Sequence, residues 1–160
     1  PYYLSHKLNS IGYRTNLILA GRKVNDEYSK FISSKIKKFL RKNKVKLKNI
    51  KVIIFGFSFK ENVSDIRNTK VFDLYLELKK FIKTVDIYDP IICQKTAREE
   101  YGLEIKGNIQ SKYNLCVYAV PHNVFSSFNY RLLKSVIKKD GAIFDVKNAI
   151  PNNINLKRII

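Results

Sequence analysis

From Ile50 to Val146 the chain alternates short apolar, β-branched runs with stretches whose apolar residues recur every three or four positions. The run IKVIIFGF predicts a buried strand over 50–57, and Val85 to Tyr88 predicts a second, stopped by Asp89-Pro90. Leu115 to Val120 predicts a third, ended by Pro121, and Ala142 to Val146 a fourth after an Asp140-Gly141 turn. Between them, Val71, Leu74, Tyr75, Leu78, Phe81 and Ile82 form a helical stripe that Asn68 or Thr69 can cap. Residues 94–101 predict a helix ended by Gly102, and residues 132–138 a further helical segment. Strands separated by helices and short joints require right-handed crossovers and a parallel sheet. The expected fold is therefore α/β, a Rossmann-like parallel sheet with helices on both faces.

A long helix should precede that unit. From Asn16 to about Arg41, apolar residues recur at Leu17, Ala20, Val24, Tyr28, Phe31, Ile32, Ile36, Phe39 and Leu40. At 1.5 Å per residue it would span roughly 40 Å, longer than a small domain can cover. Its stripe is expected to pack on something beyond the following domain, a further N-terminal part and a second copy of the chain. The expected division is 1–45, carrying this dimerisation helix, and 46–160, the Rossmann-like domain.

Composition narrows the function classes. The 160 residues suffice for one core of ordinary size, and the longest apolar run, VIIFGF, is far too short for a bilayer. The chain opens on Pro1, has no methionine and shows no signal-peptide pattern, so the reading is of a fragment. Cys93 and Cys116 lack metal-ligand spacing; reduced thiols and a cytoplasmic setting are expected, with no metal. The net charge of +18 raises nucleic acid as a partner, and the rival reading is a basic nucleic-acid-binding module built on the nine basic residues between Lys35 and Lys51. That run is lysine-rich and fits a solvated helix face better than the arginine forks and interleaved aromatics of base and phosphate readout.

In a doubly wound sheet, ligands lie beyond the carboxyl ends of the strands, near the switch in strand order. The loop GFSFKENVSDIRNT follows the first strand, yet has one glycine, Gly56, where a dinucleotide cradle needs several directly before a helix. It offers instead Lys60 and Arg67 with Asp65 between them, cations suited to a diphosphate or a sugar, or an Asp65–Arg67 pair at the surface that caps the following helix. Lys147, at the end of the last strand, can join them on one anion. Asp89 stands where dinucleotide folds put a ribose-binding acid, although Asp-Pro reads more simply as a turn. His122 follows a strand and is either a ligand contact or a structural histidine. Cys116 lies in an apolar strand and reads as inert, while Cys93 has no evident partner.

The ordered set PYYLSHK, AGRKVNDE, GFSFKENVSDIRNTKVFDL, DIYDP, AVPHNVF and FDVKNAIP resembles the NAD-dependent nucleotide-sugar 6-dehydrogenases, in the UDP-glucose/GDP-mannose dehydrogenase family. The resemblance implies the C-terminal part of such an enzyme: the end of its catalytic segment, a central dimerisation helix and a UDP-sugar-binding Rossmann-like domain. It implies an NAD domain and a catalytic cysteine upstream, and oxidation of a C6 alcohol to a carboxylate by two hydride transfers through a thiohemiacetal and a thioester. Alone, this portion would be inactive. By matched position, Phe59 and Lys60 are expected to contact the UDP-sugar, Arg67 the phosphates of NAD, and Asp65 to orient the loop. Lys147 falls where UDP-glucose-oxidising members carry an arginine against the sugar. The motifs resemble more the branch acting on UDP-N-acetylhexosamines, which feeds surface polysaccharides, with UDP-glucose the alternative substrate. A homodimer, no membrane and no specific nucleic acid complete the expectation.

Overall fold

The computed structural model describes residues 2–45, 47–154 and 157–159, without the side chains of 2, 48 and 127–129. Pro1, and Lys46 of the basic run, lie outside the described residues. In chain order the elements are α1 (Tyr2–Ser10), α2 (Asn16–Lys42), a 3-10 turn (Leu47–Asn49), β1 (Lys51–Phe55), α3 (Lys70–Lys79), β2 (Thr84–Tyr88), α4 (Gln94–Tyr101), β3 (Tyr113–Tyr118), α5 (Asn123–Val136), β4 (Ile137–Asp145) and β5 (Arg158–Ile159).

The strands form one parallel sheet in the order β2-β1-β3-β4-β5. After β2 the chain crosses to the other side of β1, so the switch in strand order falls between β1 and β3. Alternation along the strands divides the core. Val52, Ile54, Leu115, Val117 and Phe144 face a layer with the buried side of α3 and with Ala97 of α4. Ile53, Phe55, Cys116, Tyr118 and Ile143 face α5 through Phe125, Leu133 and Val136. Local chemistry sets the helix ends. The Thr69 hydroxyl accepts from Val71 N and caps α3, while Gly102 ends α4 in the left-handed region (φ 64°), as the sequence predicts.

Four departures from expectation have physical causes. The α5 helix begins at Asn123, well before residue 132, and runs straight into β4, which takes in Lys138. Asp140-Gly141 is not a free-standing turn but sits inside β4, where the ladder slips between Tyr113↔Ile137 and Leu115↔Ala142. Gly141 is needed in that slip, because a Cβ would meet Ile137 Cγ2 at 2.5 Å and the Asn114 and Lys138 carbonyls at 3.0 Å. The helix α1 and the two-residue β5 carry no strong periodicity. Finally, the stripe of α2 is divided. Its C-terminal half buries Ile32, Ile36 and Leu40 in the same core as α3, each worth about 1.5–3 kcal/mol. Its N-terminal half leaves Leu17 87% and Val24 68% exposed, and Phe31, just past the middle, is 54% exposed.

The basic run is spread around α2 and the turn after it. Lys35 and Lys37 lie over the rings of Phe31 and Phe81. Among the described residues no helix is long and apolar enough to cross a membrane, and no three His, Cys, Asp or Glu side chains gather as a metal would need.

Candidate functional site

Strand β1 ends at Gly56, whose N–H reaches the Tyr88 carbonyl (2.9 Å) while its φ of +87° turns the chain across Val120. The loop that follows is fastened from below by a buried polar knot. Asp89, 2% exposed, accepts Phe57 N (2.7 Å), Ser58 N (3.1 Å) and His122 Nε2 (3.0 Å) on Oδ2, and Ile91 N (2.9 Å) on Oδ1. Burial alone would push its carboxyl up, but the donated bonds from His122 and from the Phe57 and Ile91 amides outweigh it and hold the carboxyl below its ordinary range. Both oxygens are occupied, so Asp89 is no ribose ligand. It forms the expected turn and also anchors β1's loop, a role the sequence reading missed.

His122, fully buried, accepts Asn62 N on Nδ1 at 2.8 Å. The ring proton therefore sits on Nε2, which faces Asp89 and, at 3.2 Å, Ser58 Oγ. This is not a nucleophile with its base: one nitrogen serves both the carboxylate and the hydroxyl, and the other is taken by a backbone N–H. Ser58 Oγ donates to the Lys60 carbonyl (2.9 Å), and Asn62 Oδ1 accepts Asn123 N (2.9 Å). His122 is thus the structural histidine of the two readings.

Above the knot, the loop folds back on itself, with Phe59 N donating to the Asp65 carbonyl at 2.8 Å. Asp65 takes Arg67 N (2.9 Å), Nε (3.0 Å) and Nη2 (2.7 Å), a forked pair at the surface. The bonds from Arg67 hold the Asp65 carboxyl down at about 2. The pair does not cap α3, since Thr69 does. Tyr101 Oη, donating to the Ile66 carbonyl at 2.7 Å, ties down the far end of the loop.

A cavity of about 520 Å³ opens at the carboxyl ends of β1, β3 and β4, beside the switch point, with α2 as its outer wall. Tyr28 and Ser29 of α2, Phe59, Thr69, Lys70 and Lys147 line it. Its size suits a small-molecule site. Ser29 Oγ donates to the Lys70 carbonyl (3.0 Å), and Lys70 Nζ is held by Asp26 (2.7 Å) and Asp73 (3.1 Å), which fixes α2 to the start of α3. Lys147 pairs with Glu61 across the opening, and that bond holds the Glu61 carboxyl below its ordinary range.

Phe59 and Lys147 therefore share one cavity. Lys60 and Arg67 do not line it, so two lysines and an arginine do not converge on one point. Lys60 is exposed, and among the described residues no carboxylate pairs with it. Phe59 shows 60% of its surface at the cavity mouth. Cys116 is sealed in the sheet, where burial drives its thiol far up, and Cys93 is exposed at the start of α4. The α2 wall was not anticipated; the only sign of it in the sequence is a polar pair, Tyr28-Ser29, inside an apolar stripe.

Residues 53–152, which run from within β1 to beyond β4, match the UDP-glucose/GDP-mannose dehydrogenase family, UDP binding domain. The chain belongs to this family. It is 36% identical over 152 residues to the UDP-N-acetyl-D-glucosamine 6-dehydrogenase of Salmonella typhi, covering 94% of this chain and 36% of that protein. Protein CapL of Staphylococcus aureus is 34% identical over 151 residues, covering 94% and 35%. Among solved structures, the NDP-N-acetyl-D-galactosaminuronic acid dehydrogenase from Methanosarcina mazei Go1 superposes with a TM-score of 0.75 at 23% identity, over 94% of this chain and 33% of that one. The UDP-D-ManNAc dehydrogenase of Pyrococcus horikoshii does so with a TM-score of 0.72 at 18% identity, over 95% and 35%. The chain spans little more than a third of the length of these relatives.

The dinucleotide that a dehydrogenase of this family implies does not fit the turn after β1. The space where a Gly56 side chain would stand is filled by Val120, not open to a pyrophosphate, and residues 57–69 intervene before α3. The domain's own cavity is walled by Arg22, Lys70 and Lys147 as well as by apolar groups.

Proposed function

We propose that this region is the UDP-sugar-binding part of an NAD-dependent UDP-N-acetylhexosamine 6-dehydrogenase, an enzyme that oxidises the sugar C6 alcohol to a carboxylate for surface polysaccharide synthesis. The observation that carries the reading is the cavity at the strand ends, most of whose lining belongs to the stretch that matches the UDP binding domain. The names of the Salmonella typhi and Methanosarcina mazei relatives support an N-acetylated hexosamine. In this reading Phe59 offers its exposed face to the nucleotide, while Lys60 and Lys147 offer charge to the diphosphate and the sugar. Asp65 orients Arg67 outward, towards the phosphates of an NAD held mainly by other parts of the enzyme. Residues 46–160 form the UDP-sugar-binding domain, whose cavity α2 closes, and residues 1–45 carry the end of the catalytic segment and the dimerisation helix.

In the intact enzyme, Lys60→Ala is expected to weaken UDP binding about tenfold or more, the worth of one charge-assisted contact. Titration calorimetry with UDP checks this. No affinity in the parent enzyme, or unchanged affinity in the variant, would remove the assignment.

The dimer has its own test. Leu17, Val24 and Phe31 repeat at seven-residue intervals along one face of α2 and are exposed in the single chain. Placing glutamate at both Leu17 and Val24 is expected to convert a dimer to monomers in sedimentation equilibrium. A parent that is already monomeric, or a double variant still dimeric, would refute that interface.

A further inference from the structure

We infer that His122 is a positioning residue for nucleotide-sugar binding, acting on Phe59 and Lys60 through the backbone of the loop between them and Asn62. The inference rests on the site proposed above. His122 itself does not line the cavity, and no ligand can reach a ring that is wholly buried. What it does touch is the loop, at both ends of the segment that displays the expected ligand contacts. On one side its Nε2–H meets Ser58 Oγ, and that hydroxyl in turn holds the Lys60 carbonyl at 2.9 Å. On the other its Nδ1 receives Asn62 N at 2.8 Å. Asn62 then reaches back to Asn123 N, at the start of the helix that His122 itself precedes.

The three residues Phe59, Lys60 and Glu61 are thus an arch standing on two feet, and His122 stands under both. Asn62 needs this support, because its backbone sits at φ +59°, a conformation a non-glycine residue adopts at a cost. Without the imidazole, the Asn62 N–H has no acceptor and Ser58 Oγ loses a donor, so the arch can relax and carry Lys60 away from its place. An exposed lysine on a flexible stem binds a phosphate only as well as its backbone is held.

The test is a double-mutant cycle on the intact enzyme, read by UDP calorimetry, with thermal unfolding to show that each variant is folded. His122→Ala is expected to lower UDP affinity about tenfold when Lys60 is present, and less than about twofold in the Lys60→Ala background. His122→Asn, whose Oδ1 can take the Asn62 N–H, should recover part of the loss. Should His122→Ala fail to fold, Ser58→Ala takes its place in the cycle, since it cuts the link to the Lys60 carbonyl and leaves the Asp89 carboxylate with His122 and its backbone donors. Equal losses in both backgrounds, or no loss while Lys60→Ala weakens binding, would overturn the positioning role alone. No effect of Lys60→Ala itself would overturn the site reading and this inference with it.

Discussion

Asp89→Ala should destabilise the folded chain by about 3–5 kcal/mol, the range for removing one partner from a buried charged network. The carboxylate is 2% exposed and receives four donors, from Phe57, Ser58, Ile91 and His122. Truncation leaves all of them without this acceptor. Asp89→Asn should cost less, because its carbonyl oxygen can still face the three donors at Oδ2 while its amide meets only the Ile91 N–H. Urea unfolding of the two variants and the parent, with unchanged slope, measures the difference. A loss under about 1 kcal/mol for Asp89→Ala would mean the knot is not what holds the loop.

The same carboxylate sets an acid limit. Its folded-state pKa is lowered, so its contribution is present above the unfolded value near 3.9 and is lost as pH falls through the folded value. Stability should therefore decline below about pH 4, more steeply in the parent than in Asp89→Asn. Asp65 is lowered too, but its pair with Arg67 is solvent-exposed and should add little.

Gly56→Ala is the second large effect, at about 3–5 kcal/mol. A Cβ would lie 2.5 Å from Val120 Cβ and 2.6 Å from the Val120 carbonyl oxygen, backbone that the sheet holds in place. The φ of +87° adds conformational strain to the clash. Gly102→Ala is the internal comparison. It has φ +64° with nothing within 4 Å, so it should cost only the strain, about 1 kcal/mol. Similar losses at both positions would contradict the close approach of β1 to Val120.

How much of this was legible in the sequence depended on the range of the interactions. The helix Gln94–Tyr101 and its Gly102 end were readable because cap chemistry is written within a few residues. β1 was readable because two buried faces demand a continuous apolar run, and β2 because its buried residues Val85 and Ile87 alternate up to the Asp89-Pro90 stop. β5 was not, since two residues pair with β4 only through a distant register, Ile143↔Arg158 and Phe144↔Ile159. Asp140-Gly141 read as a turn because those residue types usually make one; here the glycine serves a slipped ladder instead. In the site, Lys147 could be singled out from its place at a strand end, and Phe59 only from the family motif it matches. The Asp89–His122–Asn62 knot could not, because it joins loops more than twenty-five residues apart and no periodicity marks a buried polar group. The division of the α2 stripe was likewise hidden: apolar spacing names a face but not what covers each half.

That helix has a last consequence. Ser29 grips the Lys70 carbonyl, and Asp26 one turn before it grips the Lys70 ammonium, while Tyr28 and Ser29 look into the cavity. The element proposed to join two copies is therefore also one jaw of the vise around the proposed ligand site. Free energy gained when a molecule fills that vise is shared with the clamping of the helix, and by thermodynamic reciprocity a firmer clamp returns the gain as tighter binding.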